Sequence, residues 1–197
     1  MRILLAILLL SACQAIAGVP HEAYRYRADL VRNARLFWGL AAPVATFAAQ
    51  VHQESAWKPN ARSKYAAGLA QFTPDTADWI GGMDAGLASG DVFNPAWALR
   101  ALALYDRWLW DRIKASSDCD RMAMTLAAYN GGLGWINREK RAATSKGVDA
   151  NLWFGAVALE CLRARWACEE NRAYPVRILL KHQPLYLAWG PGIACRS

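Results

Sequence analysis

The chain has 197 residues, 55 % of them hydrophobic, with 23 Lys and Arg against 16 Asp and Glu, a formal net charge of +7. That length and apolar content fit one globular domain with a proper core and exclude a disordered chain. The positive charges are dispersed, with no block of five like charges and no nucleic-acid-binding motif, so basicity alone does not imply nucleic acid. Ten tryptophans are many for this size. The favoured reading places most of them in the core; the alternative is that some line a sugar cleft, because flat indole faces stack on pyranose rings.

In chain order, Met1-Arg2 precedes an apolar run, Ile3 to Leu10. One positive charge and a run too short to span a bilayer have the shape of a secretory signal. Two cleavage readings compete. Ala15-Ile16-Ala17 fits ordinary signal peptidase and makes 1–17 the signal segment; Leu10-Ser11-Ala12-Cys13 resembles a lipobox, which makes 1–12 the signal and lipidates Cys13. An uncleaved signal-anchor is a third. The expectation is therefore an exported chain, periplasmic or an outer-membrane lipoprotein, or phage-encoded and acting in the host periplasm. Membrane contact comes only through that anchor or signal. Residues 20–197 form the functional domain, and no oligomeric state is specified.

The remaining pattern is helical. Leu30, Val31, Ala34, Phe37, Trp38 and Ala41 recur at helical spacing. Pro43 opens a second helix, with Val44, Phe47, Ala48, Val51 and Ser55 on one face. Thr73-Pro74 and Asn94-Pro95 are cap-plus-proline starts, the latter opening a long apolar helix through Trp110. Ser117 or Asp118 caps a helix that stops at Gly131-Gly132. Residues 149–168 and 170–181 read as two more helices, whereas 81–93 and 138–150 read as loops. The fold class is mainly α, with at most a very small β element.

Five cysteines are present: Cys13, Cys119, Cys161, Cys168 and Cys195. Either cleavage leaves four, which in an oxidising compartment suggests two disulfides. If residues 149–168 are one continuous helix, Cys161 and Cys168 lie ~10 Å apart, beyond the roughly 7 Å that a disulfide bridges. They then pair with Cys119 and Cys195, one each. No CxxC pair suggests zinc, and neither metal nor cofactor is implied.

Three further pieces carry chemistry. Glu54-Ser55 is followed by Gly68-Leu69-Ala70-Gln71-Phe72-Thr73-Pro74, and then by Ala128-Tyr129-Asn130-Gly131-Gly132. On a helical wheel Glu54 falls at the edge of the apolar stripe, beside Val51 and Phe47. A carboxyl partly withdrawn from water should have a raised pKa, as a general acid requires. Ser55 shares its turn, with a hydroxyl free to bind a substrate or its own backbone. Gln71 sits on a loop held by the Thr73-Pro74 helix start, with an amide suited to sugar recognition. Asp75 and Asp78 read as first-turn residues that complement a helix dipole.

In order and spacing these pieces resemble the active-site signature of family-1, Slt-type lytic transglycosylases. Asn94 to Ala101 resembles the helix that follows their second motif. Glu170-Asn171-Arg172-Ala173-Tyr174, followed by Pro175, resembles their late Glu-Thr-Arg-x-Tyr-Val segment. The resemblance covers about residues 40–180 and implies a lysozyme-like helical domain, similar to goose-type lysozymes. It implies that the chain acts on peptidoglycan glycan strands with Glu54 as general acid and then base. Substrate assistance replaces the second carboxylate most glycosidases use, and a 1,6-anhydro ring forms on muramic acid. Ser55, Gln71, Tyr129 and Asn130 would support the substrate, and the Tyr174 hydroxyl would point at the catalytic carboxylate. Two departures stand out. Ala70 replaces the usual methionine, and Pro175 replaces a valine and disfavours helix at Tyr174. Alternatives are a lysozyme-like muramidase on the same scaffold and a wall-binding component without catalysis.

Overall fold

The computed structural model describes residues 18–195. The signal segment readings and Cys13 lie outside these residues. The described residues form seven α-helices and no strand. They are α1 (His21–Trp38), α2 (Val44–Ser55), α3 (Pro74–Gly81), α4 (Pro95–Arg112), α5 (Asp118–Gly131), α6 (Leu133–Ser145) and α7 (Arg165–Val176). The only β features among them are isolated bridges pairing Ala67 with Arg62 and with Phe72. No helix among the described residues is long and apolar enough to cross a membrane.

Local chemistry explains three of the seven helix starts. Thr73 Oγ1 accepts from the Thr76 amide, Asn94 Oδ1 accepts from the Ala96 and Trp97 amides, and Ser117 caps Asp120; Pro74 and Pro95 take first-turn positions where a missing amide does no harm. Pro43 lies one residue outside α2, not inside it.

The α2 helix is the centre of the structure. Every residue from Val44 to Val51 is buried, so it has no polar face over that stretch. It packs on α1 and on the C-terminal turns 177–189, while α4, α5 and α7 complete the wall around it. One contiguous core unites Phe47 and Val51 of α2 with Leu30, Leu99, Leu126 and Tyr174 from the surrounding helices.

Three expected elements differ. Residues 149–168 are not a helix: they make turns and one short 3₁₀ turn (Val157–Leu159), and α7 begins only at Arg165. Trp153 and Val157 are buried all the same. The Trp153 amide donates to Asp120 Oδ1 (2.8 Å), which pins the segment as a loop against α5, and Gly155 takes a positive φ of 73°. The apolar spacing reflected burial against α5 and not a helical period. Secondly, α6 occupies 133–145, so much of the expected 138–150 loop is helix. Thirdly, residues 170–181 split into the end of α7 and a π turn (Arg177–His182).

The first difference overturns the cysteine pairing. Cys161 bonds to Cys168, and Cys119 to Cys195. Without a helix between them, Cys161 and Cys168 bring their Cα atoms to 5.7 Å, inside bridging range. Peptide mapping without reduction should recover these two linkages and no others. The Cys119–Cys195 bond closes the longer loop, with a sequence separation of 76. Its removal by Cys119→Ser with Cys195→Ser should therefore destabilise the fold more, by about 2–5 kcal/mol in urea unfolding, than the same change at Cys161 and Cys168.

Candidate active site

A cleft of about 500 Å³ opens between α2, the segment 63–73, α4, α5 and α7. Glu54, Gln71, Tyr105, Tyr129, Asn130 and Glu170 supply its polar walls, with Tyr65 and Phe72 completing the aromatic lining. Glu54 is the penultimate residue of α2, where the buried helix emerges into the cleft. Ala56 and Trp57, which follow directly, both adopt left-handed backbone, with φ of 48° and 65°. Such angles are unfavourable for non-glycine residues. The Trp57 side chain offsets that cost. It is fully buried, lies parallel to Tyr26 at 6.5 Å, and donates from Nε1 to Tyr186 Oη at 2.8 Å. The end of α2 is thus fastened immediately after the glutamate.

Glu54 is partly buried and has one side-chain hydrogen-bond donor, the Tyr174 hydroxyl. Burial dominates its electrostatics and pushes its pKa up to about 8; the Tyr174 hydrogen bond pulls it down, and the nearby Glu170 carboxylate pushes it up. Glu170 is itself paired with Arg177. At neutral pH the Glu54 carboxyl therefore holds its proton.

Tyr174 reaches Glu54 from within α7, with Pro175 inside the helix. The proline was expected to disfavour helix at Tyr174, and it does not. Pro175 has no amide to donate to the preceding turn, and the backbone continues from it into the wider π turn at 177–182. Helical geometry at Tyr174 is retained, and Tyr174 is only 2 % exposed.

The other expected residues separate into two groups. Gln71, Tyr129 and Asn130 line the cleft with Glu54. Gln71 has a positive φ of 48°, and its Nε2 donates to the carbonyls of Ala61 (3.2 Å) and Gly68 (2.9 Å), leaving its side-chain oxygen as the free end. Tyr129 Oη donates to the Ala70 carbonyl at 2.7 Å, tying the middle motif to α5. Asn130 Oδ1 accepts from Asn171 Nδ2 at 3.1 Å, and the same Asn171 amide holds the Ala127 carbonyl at 2.7 Å. Ser55 stands apart: it is buried, outside the cleft lining, and its hydroxyl donates to the Val51 carbonyl at 3.2 Å. That is the backbone-bonded alternative of the two readings of Ser55.

Gly68 is sterically required, and Gly131 is closely approached by side chains. A Cβ on Gly68 would lie 1.9 Å from the Val92 carbonyl oxygen, and its φ is +80°. A Cβ on Gly131 would meet Arg163 Nη1 at 2.3 Å and Asn171 Nδ2 at 2.8 Å. No tryptophan lines the cleft. The aromatic surface comes from Tyr65, Phe72, Tyr105 and Tyr129, with Tyr105 and Tyr129 centroids 5.3 Å apart. Asn171 lies within the fourth piece but was not singled out there, and Tyr105 had no motif to announce it.

Comparison with known proteins decides the family: residues 38–152 match the Transglycosylase SLT domain family, which is more than half of the chain. The chain belongs to that family. Relatives include a protein called membrane-bound lytic murein transglycosylase F from Shewanella denitrificans, 36 % identical over 108 residues, covering 54 % of this chain and 20 % of the relative. Proteins of the same name from Marinobacter nauticus (30 % over 140 residues, 68 % of this chain and 25 % of the relative) and Vibrio cholerae (30 % over 123 residues, 61 % and 21 %) are also similar. The chain spans about a fifth to a quarter of the length of these relatives. The family match holds Glu54, Gln71, Tyr129 and Asn130 and ends before α7, which brings Tyr174.

A raised carboxyl pKa makes the folded state bind its proton more tightly than the unfolded chain. The stability this contributes is complete below the unfolded value of 4.5 and is lost as pH rises towards about 8. Glu54→Gln, which has no proton to lose, should therefore gain on the wild type by about 1 kcal/mol or more between pH 5 and pH 8 in urea unfolding.

Proposed function

We propose that this chain is an exported lytic transglycosylase that cleaves the β-1,4 bond between N-acetylmuramic acid and N-acetylglucosamine in peptidoglycan. The observation that carries the proposal is a single carboxyl, Glu54, kept protonated by burial at the floor of an aromatic-lined cleft in a Transglycosylase SLT domain. The name of these relatives, membrane-bound lytic murein transglycosylase F, supports the same reaction class.

In the first half-reaction Glu54 gives its proton to the glycosidic oxygen, and the bond from that oxygen to C1 of muramic acid breaks. The carbonyl oxygen of the sugar's own N-acetyl group bonds to C1 as the leaving group departs, so no second protein carboxylate is needed. Glu54 is now a carboxylate. Tyr174 donates a hydrogen bond to it, which favours the charged form and makes the deprotonated state attainable. In the second half-reaction Glu54 takes the proton of the muramic acid C6 hydroxyl as that oxygen bonds to C1. The N-acetyl oxygen is released, the 1,6-anhydro ring closes, and Glu54 regains its proton with no water consumed. The free oxygen of Gln71 and the exposed amide of Asn130 are placed to hold the substrate's N-acetyl and hydroxyl groups. Tyr65 and Tyr105 offer ring faces to the sugars. With a net charge of +7, the surface also suits a wall polymer that carries peptide carboxylates.

Purified sacculi digested with the protein should release muropeptides ending in 1,6-anhydro-muramic acid. Glu54→Gln should lower that release by about 10²-fold or more. Reducing-end muramic acid, about 18 Da heavier by one water, would instead assign a muramidase; no release by a folded wild type would favour a binding role. Activity should fall as pH rises past about 8, where Glu54 loses its proton. Tyr174→Phe should move that alkaline limb upward, because the hydrogen bond lowers the Glu54 pKa, and should slow turnover about tenfold or more.

A further inference from the structure

Directly behind the cleft floor lies a second buried acid that the reaction does not use. Asp106 on α4 and Gln50 on α2 are both fully buried. Gln50 stands one helical turn before Glu54. Its Nε2 donates to Asp106 Oδ1 at 3.4 Å, a long contact. Each residue keeps one oxygen with no hydrogen-bond partner, Gln50 Oε1 and Asp106 Oδ2. Two acceptors left unsatisfied in a core are costly, and two oxygens do not hydrogen-bond without a proton. A carboxylic acid and a primary amide have one complementary arrangement, in which the amide N–H donates to the acid carbonyl and the acid O–H donates to the amide oxygen. The first of these bonds is present here, and the two orphaned oxygens are the ones the second would use.

We propose that Asp106 and Gln50 form a closed acid–amide pair, with a proton on Asp106 Oδ2, and that this uncharged pair positions the turn of α2 that carries Glu54. The groups that act on Asp106 electrostatically are Glu54 from α2, Tyr105 beside it on α4, Tyr129 from α5 and Tyr174 from α7. None of these is a cation, so none stabilises a buried anion. Burial pushes the Asp106 carboxyl well above its ordinary value, with the Gln50 hydrogen bond opposing and Glu54 adding to the rise. The consequence for Glu54 rests on its proposed role as acid and base. A charged Asp106 would raise the Glu54 pKa further by like-charge repulsion and oppose the carboxylate that Glu54 must become when it gives up its proton. A neutral Asp106 provides a polar floor without that obstacle.

The test is a carboxyl titration by NMR of wild-type protein carrying ¹³C-labelled aspartate, with the Asp106 signal assigned by its absence in Asp106→Asn. The expected result is a carbon that stays in the protonated position well past the ordinary aspartate value of ~4. An Asp106 signal that titrates near that ordinary value would overturn the pair. Turnover supplies the second arm. Asp106→Asn preserves both hydrogen bonds as an amide–amide pair, so the alkaline limb of its pH–rate profile should coincide with that of the wild type. A limb lowered by about one pH unit or more would mean that a charge had been removed, and would refute the neutral pair. Asp106→Leu leaves both ends of the Gln50 amide unpartnered and should reduce turnover about tenfold where the asparagine variant does not. The titration needs no turnover. If Glu54 were not the acid, Glu54→Gln would remain active while the Asp106 titration stayed as expected, so the two claims fail separately.

Discussion

A carboxyl at the end of a helix with no polar face is the constraint on which the rest of the structure depends. From Val44 to Val51 the α2 helix is buried on every side, and Glu54 appears only where it emerges into the cleft. Water would ordinarily stabilise a carboxylate. Here protein replaces much of that water, and the charged form becomes unfavourable near neutral pH. The protein answers with one hydrogen bond, from Tyr174, and not with a cation. An arginine in that place would hold the carboxyl ionised and remove its use as an acid. A neutral phenol supports both protonation states, as the acid–base role proposed for Glu54 requires.

That single hydrogen bond explains much of the remaining architecture. Tyr174 belongs to α7, about 120 residues further along the chain, so the two helices must be held in register. Packing of α7 against α5 does part of this, and Asn171 adds to it by bonding the Ala127 carbonyl and the Asn130 side chain at once. The Cys161–Cys168 bond fastens the turn that leads into α7, and Cys119–Cys195 ties the start of α5 to the chain's C-terminal segment. On the opposite side, Trp57 locks the backbone after Glu54 in left-handed geometry. The Tyr129 hydroxyl, donating to the Ala70 carbonyl, joins the middle motif to the third. Residues scattered over the chain thus converge because each is bonded to the next, not only because each faces the substrate.

Much of this was legible in the sequence, for identifiable reasons. Helix starts at Thr73, Asn94 and Ser117 carry local cap chemistry that tertiary packing had no cause to override. Glu54, Gln71, Tyr129 and Asn130 could be placed together because their motifs keep order and spacing. Legibility failed where long-range contacts decide. The apolar period over 149–168 came from a loop pinned by Asp120 to the side of α5, and the cysteine pairing inferred from a helix there failed with it. Pro175 was weighed by its local preference, but the chain accommodates it with a π turn. Ser55 carries a motif position yet bonds its own helix, and the cleft-lining aromatics are tyrosines and a phenylalanine, with the tryptophans elsewhere. Asn171 lies in the fourth piece, but its partners Ala127 and Asn130 are far away in sequence, and Tyr105 joins the cleft from α4 with no local pattern to mark it.

The most direct measurement of the central claim is the titration of Glu54 itself in folded protein carrying ¹³C-labelled glutamate, its signal assigned through Glu54→Gln. A carboxyl held neutral by burial should titrate with a midpoint near 8. A midpoint close to the ordinary glutamate value of 4.5 would mean that Glu54 is ionised at neutral pH, and would contradict its role as the proton donor.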